Sequence, residues 1–258
     1  MKVSYSLINT WNTCPFLYKL KYVEHLEPKD DLSPDNPLFV GTACHEGIEH
    51  RSVEAAIDSY KSHFDELNFE HELEIEKLKV ILPKAFLQIP ECETYEYKLD
   101  VPDEFVGYID GLVKNEDGTY NILDFKTSNN ISSYKNSPQV HIYKYYFERI
   151  TGNTVKDLYY VFIPKPTVKL NEDLSNRDDI INDLKERDIH FEKVNFDRQQ
   201  VNYFFARKSL LEKATNFQKR YSSKCNWCPF KRLCASNGLD LSELNETSKN
   251  KLLNKTNE

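Results

Sequence analysis

The chain has 258 residues, with 34 basic and 41 acidic side chains and a net charge of −7. At 40% hydrophobic and 13% aromatic residues it carries enough apolar side chain for a packed core, which excludes wholesale disorder. No stretch approaches the roughly 20 apolar residues that a bilayer span needs, and the opening MKVSYSLINTWNTCPF lacks the apolar run of a secretory signal.

These features read as a soluble, cytoplasmic chain with no membrane partner. In that compartment the six cysteines point to free thiols, metal ligands or catalysis rather than disulfides. Residues 6–23 are expected to form one or two short helices around Cys14-Pro15, with Ser6 as N-cap and Pro15 in a tolerated first turn. Residues 27–37 hold three prolines and four acids and read as a loop. Residues 38–88 are helical in pattern. Ala43, Ile48, Ala55, Ile57 and Tyr60 suggest one helix, and Leu73, Leu78 and Ile81 a second.

The texture then changes. Residues 94–100 and 104–114 read as strands, Asn115-Glu116-Asp117-Gly118 as a turn and 119–125 as a third strand, so 104–125 is a hairpin. Residues 138–150 return to helical spacing, with Gly152 just past the end. A fourth strand over 156–163 is closed by Pro164 and Pro166. A charged helix over 173–187, a short strand over 188–194 and a long helix over 197–221 follow. The expected organisation is one domain over 1–235: a helical segment over 1–90, a core over 91–165, and a helical, cysteine-bearing segment over 166–235. Residues 236–258 read as a flexible polar tail. Strands joined by helices give an α/β or mixed α+β class.

The hairpin carries the main chemical signal. Asp110 and Asp124 are about equally far from the turn, so antiparallel pairing sets them side by side. Lys126 is two residues beyond Asp124 and shares its strand face. Two adjacent carboxylates repel unless a cation or shared proton intervenes, and oxygen ligands suit Mg²⁺ or Mn²⁺. Gly41-x-x-x-His45 reads as the opening of a helix, where glycine permits close backbone approach and the imidazole can complete a metal shell. Gln139 and Tyr143, spaced i, i+4, share one helical face.

In this order, Gly41–His45, Asp110, Asp124-Phe125-Lys126 and Gln139–Tyr143, the sequence resembles the PD-(D/E)XK nuclease superfamily. Within it the chain is similar to RecB/AddB-type and CRISPR-associated RecB-like exonucleases. The resemblance implies a restriction-endonuclease-like fold: a central mixed sheet flanked by helices, with N- and C-terminal helical segments joined by a cysteine-ligated cluster. It implies that His45, Asp110, Asp124 and the Phe125 carbonyl hold the metal, that Lys126 is the catalytic lysine, and that Gln139 and Tyr143 form an accessory motif. The further acid that some members use is not assigned; Glu96, on the strand before the hairpin, is a candidate to support the ligands from behind rather than to hold the metal.

Cys225-x2-Cys228-x5-Cys234 clusters three thiols, and Cys14 supplies a fourth if the two ends of the fold meet. Four thiolates suit either zinc or an iron–sulfur cluster. The RecB/AddB resemblance includes this spacing and implies a structural [4Fe–4S] cluster. Cys44 and Cys92 read as buried thiols.

Between Arg198 and Arg232 stand nine basic residues and one acid, a stripe suited to phosphates. Arg207, Lys208, Lys213, Lys219 and Arg220 are its candidate DNA contacts. Tyr203, Phe204, Phe205, Phe217, Tyr221 and Trp227 are candidates for base stacking. The resulting expectation is a metal-dependent DNA nuclease, exonucleolytic on single-stranded or frayed ends, in DNA processing, recombination or repair. A helicase or recombination protein is the expected partner, and a phage or mobile element inside a host cell the expected source. The rivals are an endonuclease of the same fold, a DNA-binding adaptor or adaptation-partner module on a nuclease fold, and a zinc-stabilised interaction protein.

Overall fold

The computed structural model describes residues 1–255. In chain order the first elements are α1 (Tyr5–Thr13), α2 (Pro15–Tyr18), α3 (Pro37–His50), α4 (Val53–Lys61) and α5 (Phe69–Gln88). Strands β1 (Thr94–Val101), β2 (Phe105–Lys114) and β3 (Tyr120–Thr127) follow, then α6 (Gln139–Thr151) and β4 (Val155–Ile163). The chain continues through α7 (Arg177–Lys185), β5 (His190–Val194), α8 (Arg198–Glu212), α9 (Lys231–Ala235) and α10 (Glu246–Lys255).

Two compact units result, and they interleave along the sequence instead of following a division at 90, 165 and 235. Leu32–Asp100 and Gly107–Val201 form one unit; Met1–Asp31, Val101–Val106 and the chain from Asn202 onward form the other.

The sheet-bearing unit is built on five strands in the order β1-β2-β3-β4-β5. β2 and β3 are antiparallel, β3 and β4 parallel, β4 and β5 antiparallel. The parallel pair needs a crossover, which α6 supplies. Leu123 and Phe125 of β3 and Val161 and Ile163 of β4 pack with Cys44, Ile48, Leu78, Ile81 and Leu82 of α3 and α5. Asp124 lies between Leu123 and Phe125, so strand alternation turns it to the opposite face. This mixed sheet flanked by helices is the restriction-endonuclease-like α/β arrangement anticipated above.

Local chemistry sets the helix ends. Asn36 caps α3 by accepting from the Leu38 amide, with Pro37 in the first turn. Gly41 therefore sits inside α3 rather than at its start. Three helices, not two, cover 37–88. Arg51 takes φ 46° at the end of α3, its guanidinium held by the carbonyls of Phe86 and Ile89, and Ser52 then caps α4. α1 is capped by Ser4, not Ser6.

In the other unit, α8 stops at Glu212 instead of continuing to 221. The extended chain beyond it gives the Gln218 carbonyl to the Phe16 amide at 3.2 Å, a bond that a helix would not offer. Residues 236–255 are not a loose tail. Leu244 is buried with Leu20, Leu26, Phe230 and Leu233, and Leu241 and Leu252 pack against them. The Ser248 hydroxyl accepts from the Glu27 amide at 2.8 Å. Residues 256–258 of the expected tail lie outside the described residues. Among the described residues, no helix is long and apolar enough to cross a membrane.

Candidate active site and cysteine cavity

The ladder of the β2–β3 hairpin pairs Gly111 with Leu123 and Lys114 with Tyr120. One further step in that register sets Asp110 opposite Asp124 on one face. There Asp110 Oδ2 accepts the Phe125 N–H at 2.6 Å. α3 brings His45 in from the side, with Nδ1 4.0 Å from Asp110 Oδ1 and 3.4 Å from Glu96 Oε1. One ligand atom from each of His45, Glu96 and Asp110 lies within 4.8 Å of the other two. The ring of His45 also meets Phe125 edge-on at 5.6 Å.

Glu96 reaches this position through an irregular strand. Its φ is 46°, a left-handed conformation that costs a non-glycine residue about 1–3 kcal/mol. Such a kink breaks the alternation of β1 and re-aims the side chain.

Asp124 is fully buried. Its Oδ2 pairs with the Lys126 ammonium, and its Oδ1 has no hydrogen-bond partner among the described residues. A buried carboxylate oxygen without a donor is costly and fits a cation. Burial, followed by the charge of Asp124, holds the Asp110 carboxyl well above the usual carboxylate range, against His45, Lys126 and the Phe125 amide. Burial works to lower the Lys126 pKa, but the carboxylates of Asp124 and Asp110 outweigh it and leave the pKa raised. Lys126 is thus an ammonium, suited to neutralising negative charge. Burial likewise opposes His45, and Glu96 and Asp110 leave its pKa raised. One imidazole and several carboxylate oxygens are a donor set that accepts Mg²⁺ or Mn²⁺ in place of that proton.

Gln139 Nε2 donates to Tyr143 Oη at 3.0 Å. Burial, then the Asp124 charge, pushes the Tyr143 phenol well above its ordinary value. Lys126 also lies over the Tyr134 ring at 5.8 Å. Tyr134 stands in a short polar turn that carries no sequence signal for this role.

Cys14, Cys225, Cys228 and Cys234 are free thiols and line one cavity of about 220 Å³. The Arg220 amide donates to Cys14 Sγ at 3.4 Å, and the Ser222 amide to Cys225 Sγ at 3.4 Å. Among the described residues, no three of these sulfurs lie within 4.8 Å of one another. Cys44 and Cys92 are buried, and burial pushes both thiols up to about 11, which leaves them unreactive.

The basic stripe is partly engaged within its own unit. Arg207 stacks on Trp11 at 4.5 Å, and Lys208 pairs with Glu212 at 3.6 Å. Lys219 donates to the Cys234 carbonyl at 2.7 Å, and Arg220 to the Asn12 carbonyl. Lys213 is exposed. Of the aromatics, Phe204 is buried and Phe217 stacks on Tyr18, whereas Tyr221 and Trp227 are largely exposed.

Compared with known families, residues 2–235 match the PD-(D/E)XK nuclease superfamily. No curated protein matches the chain.

Proposed function

Because the chain belongs to the PD-(D/E)XK nuclease superfamily, we propose that it is a RecB/AddB-type deoxyribonuclease that hydrolyses phosphodiester bonds from the ends of DNA. The observation that carries this reading is the convergence of His45, Glu96 and Asp110 beside the buried Asp124–Lys126 pair. A divalent cation on His45, Asp110, Asp124 and the Phe125 carbonyl would supply Lewis-acid polarisation of the phosphoryl oxygen and a more acidic water. Glu96 is positioned to join that ligand set. Lys126 neutralises charge that develops on the phosphate. Asp124 fixes the lysine, and the Gln139–Tyr143 pair closes the wall beside Asp124.

The cysteine cavity is the second element of the proposal. Four cysteines lining one cavity suit a [4Fe–4S] cluster, and the family spacing of the last three favours it over zinc. Its role is to tie Cys14 to the C-terminal cysteines. The exposed Trp227 and Tyr221, among Lys213, Arg220 and Lys224, support contact with unpaired bases. The substrate is therefore read as single-stranded or frayed DNA, in processing, recombination or repair.

The test is end-labelled single- and double-stranded DNA incubated with the protein in Mg²⁺, Mn²⁺ or EDTA. Release of label with either ion and none in EDTA is the expected result. DNA left intact under every condition would overturn the reading.

A further inference from the structure

On the nuclease reading, the Lys126 ammonium has to stand in one place to neutralise charge on a phosphate. Its four-carbon stem is flexible, so its neighbours decide where it stands. One neighbour is the buried Asp124 carboxylate. Another is the ring of Tyr134, whose centre lies 5.8 Å from Nζ. At that distance an ammonium is attracted to the electron-rich face of an aromatic ring. The attraction grows where water is excluded, and the Lys126 side chain is only 18% exposed.

The two neighbours differ in how they combine with a metal ion. Asp124 belongs to the proposed ligand set. A divalent cation on that carboxylate would share its charge and repel the ammonium beside it. The face of an aromatic ring is no ligand for Mg²⁺ or Mn²⁺, which take oxygen donors. The hold of Tyr134 on Lys126 is therefore independent of the metal.

The ring is itself fixed. It meets Phe162 edge-on at 5.5 Å and lies tilted against Tyr160 at 5.6 Å, contacts that favour one ring orientation. Both partners are buried in β4, and the β3–β4 ladder sets Tyr160 beside Asp124 and Phe162 beside Lys126. The turn Ile131–Tyr134 is pinned at both ends. Asn130 Oδ1 accepts the Ser133 amide at 3.3 Å, and the Tyr134 carbonyl accepts the Ser137 amide at 2.9 Å. The Ser137 hydroxyl then accepts the Gln139 amide at 3.3 Å, where α6 begins. The turn is otherwise at the surface, with Ser132, Ser133 and Lys135 exposed. Tyr134 turns inward from it to the lysine.

We propose that Tyr134 is a positioning residue for the nuclease reaction. Its ring holds the Lys126 ammonium in the site while Asp124 serves as a metal ligand. This inference rests on the nuclease reading and adds a residue that acts through Lys126.

The experiment uses the full-length chain with Tyr134→Leu, which removes the ring, and Tyr134→Phe, which keeps it. With single-stranded DNA and saturating Mg²⁺, Tyr134→Leu should lower kcat about tenfold and leave KM within about twofold. Tyr134→Phe should keep kcat within about threefold of the parent. In a Lys126→Ala background, Tyr134→Leu should lower the residual cleavage by less than about twofold, because no ammonium is left to position. A second readout needs no cleavage. In EDTA, denaturant unfolding of the same four proteins should show Tyr134→Leu and Lys126→Ala coupled by about threefold or more in the unfolding equilibrium constant.

A Tyr134→Leu protein with the parent's kcat would overturn the inference, however much stability it lost. So would equal losses in Tyr134→Phe and Tyr134→Leu, which would assign the effect to the hydroxyl. An undiminished further loss in the Lys126→Ala background, or additive stabilities in EDTA, would overturn it as well. In each of these cases the nuclease reading stands. A parent that cleaves no DNA with either ion would overturn both.

Discussion

The carboxylate site and the cysteine cavity are assembled by different means. The first is held by a strand ladder and two helices. Gly111 pairs with Leu123, Asp110 accepts the Phe125 amide, and α3 carries His45 to within 4.0 Å of Asp110. Its ligand atoms are already gathered, and mutual repulsion of the buried carboxylates is relieved by Lys126. The second is held by short pieces: Cys14 at the start of α2, a 3₁₀ turn over Ser223–Trp227, and the five-residue α9. Its four cysteines line one cavity. An ion at the first site would complete a scaffold the backbone has built, whereas the group proposed for the second site would itself be a piece of the scaffold.

Emptying the first site chemically puts this contrast to its hardest trial. Asp124→Ala or Lys126→Ala should reduce metal-dependent DNA cleavage by at least about 10²–10³-fold, with the circular dichroism of the parent retained. Undiminished cleavage by either purified variant would remove the site from the reaction. The two should differ in stability. Lys126→Ala leaves the buried Asp124 carboxylate without its cation and should cost about 3 kcal/mol or more in EDTA, some of which Mg²⁺ restores. Asp124→Ala removes one member of the repelling pair and should cost less.

At the cysteine cavity the expected effect is on stability. Anaerobically purified protein should be brown, with broad visible absorption. Cys14→Ala and Cys228→Ala should each bleach it and lower the melting temperature by a similar amount, about 10 °C, because both remove a ligand to one centre. A Cys14→Ala protein as stable as the parent would break the closure between the two ends of the chain. Colourless protein with stoichiometric zinc would replace the cluster by a single ion.

The two regions also differ in how much could be read from sequence. The side-by-side placement of Asp110 and Asp124 follows from a hairpin symmetric about Asn115–Gly118, and the shared face of Asp124 and Lys126 from strand alternation; both are local rules. The break between α3 and α4 was hidden, because apolar spacing runs on across it. What stops the helix is the Arg51 guanidinium, held by carbonyls at Phe86 and Ile89, contacts distant in sequence. The packing of residues 236–255 was hidden for a related reason. Leu241, Leu244 and Leu252 are sparse in a polar stretch, and their burial depends on Leu20 and Leu26 from the other end of the chain. Tyr134 reaches Lys126 from a turn with no periodicity to read.

Glu96 is where local rules fail most instructively, and it gives the smallest of the expected effects. In a regular strand its side chain would follow the alternation of Tyr95 and Tyr97. At φ 46° it turns instead to within 3.4 Å of His45. If that strain serves the metal, Glu96→Gln should raise the Mg²⁺ concentration for half-maximal cleavage by about 10–100-fold, with the rate at saturating Mg²⁺ changed much less. The backbone gives an independent readout. Glu96→Gly and Glu96→Ala both delete the carboxylate, but only glycine adopts the left-handed conformation without penalty. Glu96→Gly should therefore be more stable than Glu96→Ala by about 1 kcal/mol in EDTA, although glycine is ordinarily the weaker strand residue. Equal stabilities, or alanine above glycine, would mean that the strand relaxes once the carboxylate is gone. The kink would then be a consequence of the His45 contact, not a feature that the sheet imposes.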